Sequence, residues 1–135
     1  MNVVVDSCCF ISLYTRDMFF EKAHILFKRI TSGEIHCLIS GLTMVEICGA
    51  VARIANHDEA MHVYGELIKL EQRGLLEILP IIEVERASAI AIELGIKGAD
   101  AVIVQTAKRN NAKLCTFDEE MIKKAKGIVE FYSMP

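Results

Sequence analysis

Short apolar runs alternate along the chain with stretches of helical periodicity. Residues 2–5 (NVVV) form an uninterrupted apolar run, the pattern of a strand buried on both faces. An apolar segment at 8–14 starts a helix. From 19 to 30 the period is helical: Phe19, Phe20, Ala23, Leu26, Phe27 and Ile30 share one face, and Glu21, Lys22, Lys28 and Arg29 fall mostly on the other. Ser32-Gly33 ends that helix, and 36–39 reads as a second strand. Helices follow at 43–54 and 58–73, the latter closed by Gly74. A strand at 75–79 stops at Pro80; further helices run at 83–94, to Gly95, and at 99–110, to the Asn110-Asn111 pair. Strands at 113–117 and 128–132 bracket a short helix at 118–126.

Strands separated by helices build βα units and a parallel sheet covered on both faces. The expectation is an α/β fold: one domain spanning residues 1–135, with a mostly parallel five-stranded sheet flanked by helices. No repeat, linker or low-complexity tract interrupts it.

Composition modifies this picture in one respect. Hydrophobic residues make up 53% of the chain and mean hydropathy is +0.35, apolar for a soluble domain of this size. No uncharged stretch approaches the roughly 18 residues that span a bilayer, and the start, MNVVVD, lacks a signal-peptide pattern. A cytoplasmic protein with no membrane association is expected, its surplus apolar surface serving a partner or a homodimer interface. The five cysteines (8, 9, 37, 48 and 115) include no CxxC pair and read as small buried apolar side chains in a reducing compartment. Neither they nor the four histidines show zinc-ligand spacing.

Four acidic residues stand where an apolar segment meets a helix: Asp6 in VVVD, Glu46 in TMVE, Asp100 in GAD and Asp118 in CTFD. In open α/β sheets function collects at the carboxyl ends of strands, which is where Asp6 and Asp118 belong. Asp100 opens a helix and Glu46 lies one turn into another, so both can face that edge. Each has an ordinary structural explanation. Asp6 and Asp118 suit helix N-caps, Thr43 with Glu46 spells a capping box, and Asp100 complements a helix dipole. None of these explains why all four share an edge. Converging carboxylates resist ionisation unless a cation sits among them, and oxygen ligands favour Mg²⁺ or Mn²⁺. The formal charge of −3 does not exclude a polyanionic partner, because without these four the chain has 14 acidic and 15 basic residues. HExxH, GxSxG, Walker and GxGxxG motifs are absent from the sequence.

The strings VVVDS, TMVE, GADAVIVQTA at 98–107 and KLCTFD at 113–118, in this order and over nearly the whole chain, resemble the PIN-domain ribonucleases. The resemblance is strongest to the compact VapC-like toxins of toxin–antitoxin pairs. It implies that Asp6, Glu46, Asp100 and Asp118 are catalytic and hold Mg²⁺ or Mn²⁺, with Ser7 and Thr116 supporting the metal or its water. The sequence departs from the family at Cys8 and Cys9, and Glu119 and Glu120 are alternative carboxylates beside Asp118.

The implied activity is metal-dependent endoribonucleolytic hydrolysis of RNA, with Arg16, Lys97, Lys108 and Arg109 as contacts for the substrate backbone. An antitoxin protein would occupy an apolar groove walled by 43–70. The alternatives are an inactive PIN-like binding module, or a nuclease acting on DNA or on a particular nucleic-acid structure.

Overall fold

The computed structural model describes residues 1–81 and 83–134. The elements follow in the order β1 (Asn2–Val5), α1 (Ser7–Thr15), α2 (Phe20–Thr31), β2 (His36–Ser40), α3 (Gly41–Ile54), α4 (His57–Gln72), β3 (Leu76–Leu79), α5 (Val84–Leu94), α6 (Gly98–Arg109), β4 (Lys113–Cys115) and α7 (Glu119–Lys124). The strands form one four-stranded sheet in the order β3-β2-β1-β4, and every neighbouring pair is parallel.

Alternation of side chains along the strands divides the core into two layers. Val3, Val5, Cys37, Ile39, Leu76 and Cys115 point to one face, where α1 to α4 supply Phe10, Leu26, Ile30, Ile47, Val51 and Leu67. Val4, Leu38 and Leu114 point to the other, covered by Ile90 of α5, Ile103 and Val104 of α6, and Met121 of α7. Val3, Val4 and Val5 are all fully buried, so after the exposed Asn2 β1 is apolar at three successive positions rather than at alternate ones.

The expected fifth strand is not formed. Residues 128–132 contribute one isolated parallel bridge, Leu114 to Phe131, alongside β4. The amides of Ile128 and Val129 both bond the Ala125 carbonyl, completing the turn after α7. That turn uses the donors that would have begun a ladder, and β4 is only three residues long.

Helix ends explain two further boundaries. Gly74 and Gly95 have φ of +75° and +64°, the left-handed conformation that closes a helix at little cost to glycine. The expected Thr43–Glu46 capping box is absent. Ser40 is the N-cap of α3, its hydroxyl accepting the Leu42 amide at 3.2 Å, so Thr43 already lies inside the helix. Among the described residues no helix is long and apolar enough to cross a membrane.

Candidate active site

The strand order creates a switch point. The chain builds outward from β1 to β2 and β3, then returns to place β4 on the other side of β1. Loops leaving β1 and β4 therefore diverge at the carboxyl edge and open a crevice between them. Asp6 ends β1 and Asp118 follows β4, one on each side of that crevice.

Asp6 is at the centre of the site. It is 6% exposed, and burial pushes its pKa upward, with the Asp118 charge adding to the shift. Hydrogen bonds oppose the rise: Oδ1 accepts the Ser7 amide at 2.7 Å and Oδ2 accepts the Thr116 hydroxyl at 2.8 Å. The Asp6 amide donates to the Cys115 carbonyl at 2.9 Å, fixing the corner to β4. Glu46, half-buried on α3, is raised first by desolvation and then by the charges of Asp6 and Asp100, with the Ser7 side chain opposing. Its Oε1 is buried and has no hydrogen-bond partner among the described residues. Asp100, in the first turn of α6, is raised by burial and by Asp6 and Asp118, while Lys97 lowers it.

Asp118 is exposed and caps α7, Oδ1 accepting the amides of Glu120 and Met121 at 3.0 and 3.2 Å. Thr116 ties it to Asp6, since the Thr116 hydroxyl also accepts the Asp118 amide at 3.1 Å. Glu120 is directed elsewhere, to Lys124 at 3.4 Å. Asp6 and Asp118 are thus both helix caps and members of one electrostatic cluster. Glu46 and Asp100 both feel the Asp6 charge, and Asp6 and Asp100 both feel that of Asp118.

An all-oxygen donor set, three members of which are made harder to ionise first by burial and then by neighbouring carboxylates, suits a hard divalent cation, and the buried Glu46 oxygen points the same way. Among the described residues no three His, Cys, Asp or Glu side chains are already gathered into a metal cluster.

The expected cations separate into two groups. Lys97 precedes α6 beside Asp100, and Arg16 lies over the Phe20 ring at 5.3 Å from its centroid. Arg109 instead pairs with Glu83 at 3.6 Å, and it and Lys108 end α6, about 13 Å along the axis from Asp100. The apolar groove also differs from expectation. A cavity of about 240 Å³ is walled by Phe10, Leu13 and Tyr14 of α1, Phe27 of α2, and Val63 and Leu67 of α4, without α3. Cys8 was read only as a small apolar residue, yet its thiol lies 3.5 Å from Asp6 Oδ2. The available signal was its position two residues after Asp6, on the first turn of the helix that Asp6 caps.

A PIN domain model matches residues 3–127. Among solved structures the chain is similar to VapBC-1 from nontypeable Haemophilus influenzae (TM-score 0.72, 16% identity, 98% of each chain covered). It is also similar to VapBC2 from Rickettsia felis bound to a DNA fragment from their promoter (0.69, 17%, 100% of each chain). A toxin–antitoxin complex from Klebsiella pneumoniae gives 0.66 and 19%, with 98% of this chain and 99% of that one covered. No curated protein matches the chain.

Proposed function

Because this chain belongs to the PIN-domain family, we propose that it is a Mg²⁺- or Mn²⁺-dependent endoribonuclease, the toxin of a cytoplasmic toxin–antitoxin pair acting as one domain over residues 1–135. The observation that carries this reading is the cluster at the switch point. Asp6, Glu46, Asp100 and Asp118 come from four segments, and the burial and mutual repulsion of Asp6, Glu46 and Asp100 are relieved by a bound cation.

Asp6, Glu46, Asp100 and Asp118 would hold the ion, with the hydroxyls of Ser7 and Thr116 in support. When bound, the ion polarises the phosphate and lowers the pKa of water. The chain supplies the rest. The Thr116 hydroxyl holds Asp6 in place, and Asp118 is anchored through its own amide to Thr116. Glu46, whose Oε1 has no hydrogen-bond partner among the described residues, would take the proton of the attacking water. Lys97, whose charge reaches Asp100, would meet the RNA backbone beside the site.

Asp6→Asn and Asp100→Asn should each abolish divalent-metal-dependent cleavage while circular dichroism and melting show an intact fold. Full activity in either variant, or in EDTA, contradicts the reading. RNA, single-stranded DNA and duplex DNA offered side by side test the substrate class, with RNA expected to be cleaved.

The groove between α1, α2 and α4 would receive an apolar helix of the antitoxin, the kind of partner present in the toxin–antitoxin complexes similar in fold. Leu13→Glu should weaken capture of the antitoxin, sought as the product of any adjacent small gene, by about tenfold and leave cleavage by the isolated chain unchanged. Equal capture would place the partner elsewhere.

A further inference from the structure

The half-buried Cys8 thiol contacts Asp6, Thr116 and Phe117, and the protons can be assigned. Thr116 has one hydroxyl proton, given to Asp6 Oδ2 at 2.8 Å, so its oxygen is an acceptor for the Asp118 amide at 3.1 Å. Cys8 Sγ accepts the Phe117 amide at 3.5 Å. The same sulfur lies 3.5 Å from Asp6 Oδ2 and 3.6 Å from Thr116 Oγ1. With the Thr116 proton already committed, the thiol is the donor on that side, and the carboxylate oxygen is the stronger acceptor.

A circuit results. Phe117 N–H donates to Cys8, Cys8 donates to Asp6 Oδ2, Thr116 donates to the same oxygen, and Asp118 N–H donates to Thr116. It links the corner after β1 to the loop after β4 across more than 100 positions of sequence. Stacking of Phe117 on Phe19, with centroids 4.9 Å apart and planes 16° apart, holds the loop from its other side.

We propose that Cys8 is a positioning residue for Asp6: with Thr116 it saturates Oδ2, leaving Oδ1, which carries only the Ser7 amide, as the oxygen offered to a divalent cation. This rests on the metal-site reading above, and assigns a role to the position where the chain departs from the family pattern. A carboxylate held through one oxygen suits the tight octahedral shell of Mg²⁺ or Mn²⁺. Without the thiol, Oδ2 keeps the Thr116 hydroxyl but gains a free lone pair that can also reach the ion, and larger Ca²⁺ tolerates such two-oxygen binding better.

Calorimetric titration of Mn²⁺ and of Ca²⁺ into the whole chain tests this without any turnover. Cys8→Ala should weaken Mn²⁺ binding by about tenfold, the usual scale for losing a group that orients a ligand, and should narrow the preference for Mn²⁺ over Ca²⁺. Cys8→Ser, which keeps a donor, should stay within about threefold of the parent, and Cys48→Ala, on α3, should change nothing. If Cys8→Ala does not fold, Cys8→Val retains the volume without the proton and should show the same loss. Unchanged affinity and preference in a folded Ala or Val variant overturns the role of Cys8. Absence of Mn²⁺ binding by the parent chain overturns the metal-site reading itself, and the two failures are thereby distinguished.

Discussion

Asp6 serves the fold and the site with the same atoms. As the N-cap of α1 it satisfies the Ser7 amide, and as a buried carboxylate it contributes the charge that Glu46 and Asp100 sense. The cost appears in proton binding. Asp100 has a pKa above its ordinary 3.8, chiefly through burial and then through Asp6 and Asp118, so the folded chain binds its proton more tightly than the unfolded one. The stability linked to that proton is complete below the ordinary value and is lost as pH rises through the raised one. Replacing Asp100 with Asn removes the loss. In EDTA the melting temperatures of Asp100→Asn and parent should coincide near pH 4, with the variant gaining by a few degrees toward neutral pH. Added Mn²⁺ should reverse the order, because only the parent carboxylate attracts the ion. A gap independent of pH would show that ionisation of Asp100 is not its source.

At the scale of elements, α3 shows how a sequence motif can mark the wrong boundary. T-x-x-E suggests a start at Thr43, but Ser40 lies at the end of β2 with its hydroxyl free to cap, and the helix begins directly after it. Thr43 is left fully buried, its hydroxyl without a partner among the described residues. Ser40→Ala should therefore cost about 1 kcal/mol in urea unfolding, whereas Thr43→Val should be neutral or stabilise by up to about 1 kcal/mol. The reverse order would restore the capping box. The absent fifth strand has a similar origin. Residues 128–132 have the apolar character of a strand, but the turn amides after α7 and the shortness of β4 leave room for a single bridge. Strand propensity reports what a pleated surface would accept, and pairing needs a partner of matching length.

For the whole molecule, the surplus of apolar residues is visible on the surface of α5, where Val84 is 66% exposed and Ile92 83%. Val45, Ile54 and Met61 are also exposed, on α3 and α4. Such surface is unusual for a chain that remains alone in water. Light scattering after size exclusion should give twice the 15.1 kDa of one chain; a constant monomer mass at all concentrations would overturn the dimer.

Nearly every helix and four strands were legible from periodicity, because burial of an apolar face is a local demand written into residue spacing. The three-valine run of β1 announced a strand covered on both sides, and the glycines announced helix ends. The four carboxylates were legible as positions at element ends, and the family pattern joined them. The strand order decided what spacing cannot express. Only when β4 returns beside β1 do Asp6 and Asp118 face one crevice, Thr116 reach Asp6 across 110 positions, and Cys8 change from an apolar filler into a hydrogen-bonding group. Contacts of that range depend on the path of the whole chain, whereas sequence periodicity reports each segment's burial separately.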